Sequence, residues 1–159
     1  MPAIYTDSLG TPGTLTTNAS ANTATETFFL KPASTRSIYL SLLYCGGQGA
    51  AATTLSSIML RCGKWGTAST GGTAMSSAPT DGGSQAATAT NGSRSTAGTT
   101  RTNGGVFVNS GIATGNFWAS ENPDTMPMMP ASNAGSLFVE DLGTSASMVF
   151  AFWAQHREM

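Results

Sequence analysis

Charge is scarce in this chain: 9 % of its 159 residues are Asp, Glu, Lys or Arg, against about a quarter in ordinary soluble domains. The eight acidic and seven basic residues, net −1, are spread without a run of either sign. Such a distribution offers no electrostatic footprint for nucleic acid or an anionic membrane. Long apolar runs are missing too. The longest, Met148 to Ala154, is seven residues, far below the roughly 20 that span a bilayer as a helix. The N-terminus MPAIYTDSLG carries neither the basic nor the apolar region of a secretory signal, so the expectation is a chain made and folded in a cytoplasm.

Histidine is scarcer still. His156 is the only one, so any Ser-His-Asp or Cys-His arrangement must use it, and a zinc site would lack ligands. Three residues from the C-terminus, beside Arg157 and Glu158, it reads as a surface or subunit-contact residue on a segment of the kind that is usually mobile. The two cysteines are Cys45 and Cys62. If their strands formed a simple hairpin, the offset would exceed the reach of a disulfide, so two free thiols are expected. Glu121 with Asp124 and Glu140 with Asp141 are the carboxylate pairs that could serve as acid and base, but both Asp residues sit in turn contexts where Asp caps the backbone. Neither a P-loop nor a calcium loop is present. No cofactor or metal is expected.

Helical periodicity is also absent, and short period-two segments recur instead. The fold class read from this is all-β, a β-sandwich or jelly roll with long Gly/Ser/Thr-rich loops. Strands are predicted at 3–6, 25–31, 37–45, 57–65, 73–77, 85–90, 105–109, 116–119, 125–129, 136–140 and 147–155. Residues 1–24 read as an N-terminal arm with the first strand, and 25–159 as one sandwich domain. Within it, 67–105 is a loop-rich insertion with one or two thin strands, because large apolar residues nearly vanish there.

In "SSIMLRCGKW", Ile58, Leu60 and Cys62 fall on the apolar face, Arg61 on the other, and Lys64 opposite Arg61. Ile38, Leu40, Leu42 and Tyr44 share one face of the strand before it, which reads as central in its sheet. The last strand is apolar on both faces, either buried twice within the domain or turned on one side toward another subunit. Trp65, Trp118 and Trp153 read as core or interface rings rather than a sugar platform, with Phe117 and Trp118 on opposite faces so that one of the two is exposed.

The strand "SSIMLRCGKW" followed by "GTASTGGTAMSSAPTDGGSQAATAT", preceded by "FFLKPASTRSIYLSLLY" and followed by "NFWASENPDTMPMMPASNAGSLFVED", resembles short structural proteins encoded with tailed-phage head genes. The resemblance covers most of the chain. It implies a capsid decoration (cement) protein, jelly-roll-like, that binds the major capsid protein on the outside of the assembled shell as a homo-oligomer, dimer or trimer, and so resides on the virion exterior. Candidate contact residues are Ile4 and Tyr5 in the arm, Trp118, the "MPMMP" residues Met126, Met128 and Met129, and Phe152 and Trp153 in the last strand. The competing expectation is a carbohydrate-binding or receptor-contacting β-sandwich on the virion exterior.

Overall fold

The computed structural model describes residues 3–8, 13–15, 28–47, 57–80, 85–93, 98–111, 116–142 and 148–159. Its strands are β1 (Ala3–Ser8), β2 (Gly13–Leu15), β3 (Phe28–Lys31), β4 (Ile38–Gly47), β5 (Ser57–Thr67), β6 (Ser76–Pro79), β7 (Thr90–Gly92), β8 (Thr99–Gly111), β9 (Asn116–Ala119), β10 (Met128–Met129), β11 (Ser136–Asp141) and β12 (Met148–Glu158). The one helical turn among the described residues is a 3-10 turn at Pro123–Thr125, where the side chain of Asn122 accepts from the Asp124 N–H. Asn122, not Asp124, is thus the cap in that turn.

The strands form two antiparallel sheets packed face to face, a β-sandwich. One sheet runs β10-β4-β12-β1-β6, with β9 also on β4 and β2 on β12, and the other runs β7-β3-β11-β5-β8. Phe28, Leu30, Leu60, Cys62, Leu137 and Val139 from the five-stranded sheet meet Ile38, Leu40, Leu43, Met129, Phe152 and Ala154 from the other. The rings of Phe28 and Phe152 lie 5.6 Å apart across this interface. Leu60 and Cys62 are buried as the alternation predicts. Burial of this kind, about 25 cal/mol per Å² of apolar surface, is the main term holding the layers together.

Two features depart from the period-two reading. First, β4 and β5 are not a hairpin, since β4 lies in one sheet and β5 in the other. The cysteines therefore sit in different layers, and Cys62 is a buried free thiol; the side chain of Cys45 lies outside the described residues. Second, the inward set of β4 changes phase. His156 pairs with Leu40 while Gln155 pairs with Leu42, so Ser41 is an extra residue, a bulge. Ile38, Leu40 and Leu43 are buried, while Leu42 and Tyr44 turn outward and are half-buried. The bulge is tied by the Ser41 hydroxyl, which donates to the Gln155 carbonyl at 3.2 Å.

The N-terminal segment read as a reaching arm lies, at Ala3–Ser8, between β12 and β6 in the chain's own sheet. Much of 67–105 is likewise in sheets. β8 begins at Thr99 and pairs with β5 along its length, with irregularities around Arg61. Backbone hydrogen bonds carry that pairing, which is why a stretch of Thr, Asn and Gly gives no apolar signal.

The outer face of the five-stranded sheet holds a second, smaller core. Trp65 and Phe138 pack with centroids 4.9 Å apart, and both are buried. Gly63 makes room for them: an added Cβ would stand 2.3 Å from Phe138 Cζ and 2.7 Å from the Thr102 carbonyl. Gly63→Ala is therefore expected to lower unfolding free energy by about 1–3 kcal/mol through overpacking. Gly105→Ala, whose Cβ would meet nothing within 4 Å, should change it by no more than about 0.5 kcal/mol. Urea unfolding of the two variants beside the parent chain reads the difference.

Candidate functional site

The strand rules that build the sandwich also bring its chemistry inward. In β12, Phe152, Ala154, His156 and Glu158 share one parity and all are buried; β1 contributes Tyr5 and Asp7, both fully buried. Because Tyr5 pairs with His156 and Asp7 with Ala154, the two strands deliver three ionisable side chains to one interior spot. His156 is thus neither a surface nor a subunit-contact residue. Its strand is flanked by β1 and β4, and the terminus is fastened by reciprocal Ser37 and Met159 backbone bonds of 2.9 and 3.0 Å.

His156 Nδ1 donates to Asp7 Oδ2 at 2.6 Å, and Nε2 faces Glu158 Oε1 at 3.6 Å. The Tyr5 ring stacks on the imidazole at 5.1 Å, and the Tyr5 hydroxyl donates to the Gln85 carbonyl. Asp7 Oδ1 accepts from the Ser77 hydroxyl and from Asn91 Nδ2. Glu158 Oε1 accepts from the backbone N–H groups of Thr88 and Ala89, each at 2.7 Å. Its Oε2 accepts from the Thr88 hydroxyl at 2.6 Å and from Arg36 Nη1 at 3.3 Å. Two carboxylates, one imidazolium and one guanidinium make a neutral set, the condition under which buried charge is tolerated.

Burial, the largest single influence, would push the imidazole down. The hydrogen bond to Asp7 and the nearby carboxylate charges of Asp7 and Glu158 together outweigh it and hold His156 up at about 9. For Glu158, burial pushes the carboxyl up, but His156, the Thr88 hydroxyl and the two backbone donors bring it down to about 2. The site contains the residue types of a nucleophile triad in another order. Ser77 bonds to Asp7, not to His156, and a protonated, fully buried imidazole with both neighbours carboxylates is not placed to take a proton from a hydroxyl.

A third buried carboxylate is held on the opposite layer. Glu140, buried, accepts from Arg61 Nε at 2.7 Å and also from Arg61 and Arg101 Nη2 groups. Arg101 lies 4.6 Å from the Phe138 centroid and 5.3 Å from that of Trp65, close enough for cation–π attraction. The Arg61 of the sequence motif is thus a brace for Glu140. Burial pushes the Cys62 thiol up to about 12 against the Lys64 charge and the Gly63 backbone, so it has little thiolate to offer as a nucleophile. Glu121 and Asp124 are exposed. Between the sheets' ends lies an open groove of about 360 Å³ with Cys62, Met126 and Leu137 on its floor and Lys64, Asn103 and Asp124 on its rim. Among the described residues, no group of three His, Cys, Asp or Glu side chains is placed to hold a metal ion.

Of the predicted contact residues, Tyr5, Met126, Met129 and Phe152 are buried in the chain's own interior. They are corrected to buried positions, because β1, β10 and β12 turn Tyr5, Met129 and Phe152 inward and Met126 is enclosed at the C-terminal end of the 3-10 turn. Trp118 packs half-buried against the core. Ile4, Met128 and Trp153 are half-buried, and Phe117 is the exposed member of its pair at 65 %. Asp7, Glu158, Arg36 and Arg101 escaped the sequence reading. The signal for Glu158 was present: extending the parity of Phe152 and Ala154 four residues reaches it.

Compared with protein-family models, with curated proteins and with solved structures, the chain shows no significant match.

The buried set fixes the pH response. His156, raised from 6.5 to about 9, contributes stability that is fully present below pH 6.5 and is lost as pH rises through 9. Glu158, lowered from 4.5 to about 2, contributes stability present above pH 4.5 and lost as pH falls through 2. The melting temperature is therefore expected to peak between pH 4.5 and 6.5 and to fall by several degrees toward pH 9. In His156→Gln the alkaline fall should disappear from a lower starting value. A calorimetric pH series on both proteins is the measurement, and an unchanged alkaline slope in His156→Gln would contradict the assignment.

Proposed function

We propose that this chain is a virion structural protein that binds the outer surface of an assembled phage capsid and stabilises it, a decoration or cement protein of jelly-roll-like form that acts as a homo-oligomer and without catalysis. One observation carries the reading: the sandwich uses its histidine and its buried carboxylates as internal braces, leaving outside mainly short neutral side chains and half-buried aromatics. A protein that reinforces a shell needs a rigid body and many weak, repeated contacts rather than a reactive group. Short Ser, Thr and Ala side chains lose little rotamer entropy when two surfaces close on each other. The resemblance to proteins encoded with phage head genes points the same way.

The purified chain is expected to co-sediment with undecorated phage capsids at a fixed copy number per shell protein and to raise the temperature at which they come apart. A chain that stays in the supernatant at saturating concentration sinks the reading.

The exposed ring of Phe117 favours a second reading, a carbohydrate-binding β-sandwich on the virion exterior, since a solvent-facing aromatic is what sugar stacking requires. That reading expects a glycan-array signal that falls at least tenfold in Phe117→Ala. Silence of the parent chain across a broad array removes it.

A further inference from the structure

The two outer faces of the sandwich differ. On the five-stranded sheet, Phe29, Trp65 and Phe138 point outward yet are 4, 6 and 0 % exposed, covered by the chain's own segments. On the seven-stranded sheet the outward aromatics are left partly open. There Phe117 pairs with Tyr44 and Tyr44 with Trp153, so the three rings form one row across β9, β4 and β12. Leu42 and Ile4 extend the apolar surface on β4 and β1. Tyr44 and Trp153 stack with centroids 5.5 Å apart and planes at 28°, close to the ~4.8 Å between strands. Tyr44 and Trp153 at that spacing stand upright and present edges, not flat faces. A ridge of ring edges suits burial against another protein surface better than stacking on a sugar.

Resting on the reading of the chain as a capsid-binding protein, we propose that this outer face of the seven-stranded sheet is the surface that docks on the shell, and that its occupant is an apolar patch of the capsid protein bearing a carboxylate opposite Arg157. Charge selects that occupant. Arg157 lies on the same outward parity as Trp153 and is half-buried, its Nε enclosed and without a hydrogen-bond partner among the described residues, and no Asp or Glu shares that outward parity on the described strands of this sheet. A second copy laid on this face adds another cation and no carboxylate to it, whereas a partner's carboxylate would balance the guanidinium charge. Size selects a repeated partner. From β9 to β6 and along β4 from Tyr39 to Tyr44 the face covers about 300 Å² per side, so its burial falls well short of the ~1,200 Å² total of a stable one-to-one complex. Contacts this small hold when multiplied over a lattice by effective concentration.

The test is co-sedimentation with undecorated phage capsids of the parent chain, Phe117→Ser, Arg157→Gln and, as a control on the other sheet, Lys31→Ala, each checked for an unchanged thermal melt. The expected result is at least tenfold weaker binding for Phe117→Ser and for Arg157→Gln, with loss of salt sensitivity in the latter, and parent-like binding for Lys31→Ala. Should Arg157→Gln alter the melt, Phe117→Ser decides alone, since its side chain is mostly in solvent. If the parent binds capsids and both face variants bind equally well, the surface is wrong while the capsid reading stands. If the parent binds no capsid, the reading and its surface fall together. A concentration-dependent dimer in sedimentation equilibrium, abolished by Phe117→Ser, overturns the proposed occupant in favour of a second copy.

Discussion

The hydrogen bond between His156 and Asp7 is the constraint on which the rest of the seven-stranded sheet depends. A chain this poor in charge places a histidine, an aspartate and a glutamate in the interior of one sheet. Each would be costly there alone. Their neutralisation requires β1 and β12 in one register, because a slip of a single residue would carry Asp7 to the solvent face while His156 stayed inside. It also requires the segment around Thr88 and Ala89 to turn its N–H groups on Glu158, and Arg36, at the entry to β4, to reach the same carboxylate. One imidazolium thus fixes the relative position of both terminal strands, the β3–β4 connection and the stretch leading into β7. Buried ion pairs add little net stability over apolar packing. What this one supplies is a single allowed pairing in sheets otherwise rich in Ser, Thr, Ala and Gly, where register is weakly specified.

The other layer repeats the device with different parts. Glu140 on β11 is gripped by Arg61 on β5 and Arg101 on β8, so one carboxylate joins three strands in order. Arg101 gains a second hold on the rings of Trp65 and Phe138, which lets the edge strand β8, almost without large side chains in its first half, stay on the sheet. The two braces differ in one respect. The Glu140 brace uses guanidinium groups, charged at every ordinary pH, whereas the His156 brace rests on an imidazolium that is lost as pH rises through about 9.

How much of this was legible in the sequence varies by element. The β5 alternation placed Leu60 and Cys62 in the core because β5 stays in unbroken register with β11 and the irregularities around Arg61 put their extra residues on β8, and the all-β class followed from segments of the same kind. β4 misled because a bulge at Ser41 shifts the phase of the alternation between Leu40 and Leu43, and no local residue pattern announces it. β8 was half missed because backbone bonds to β5 and the reach of Arg101 hold it, neither of which shows as apolar period. His156 was misplaced for a different reason: closeness to the terminus was given more weight than strand parity. The parity of Phe152 and Ala154, continued to Glu158, puts His156 inside. Asp7, the residue bonded to that histidine, lies 149 positions away in sequence, beyond what spacing along one chain can reveal.

The contrast between the two outer faces follows from where the chain's long Gly- and Thr-rich segment goes. Its residues fold over the five-stranded sheet: Ala68 donates to the Ala134 carbonyl, Ser69 to the Ser136 hydroxyl, and Gly98 lies so near Trp65 that an added Cβ would stand 2.7 Å from that residue's own Cβ. Small residues are what such a cover needs, since it must approach backbone to ring without a side chain between. Where the same segment reaches the seven-stranded sheet it joins as the edge strand β6 beside β1, far from β9 and β4, and the row of Phe117, Tyr44 and Trp153 is left partly open. Poverty in large side chains between 67 and 105 is thus a packing solution on one face, and it makes the opposite face the one with apolar area left for a partner.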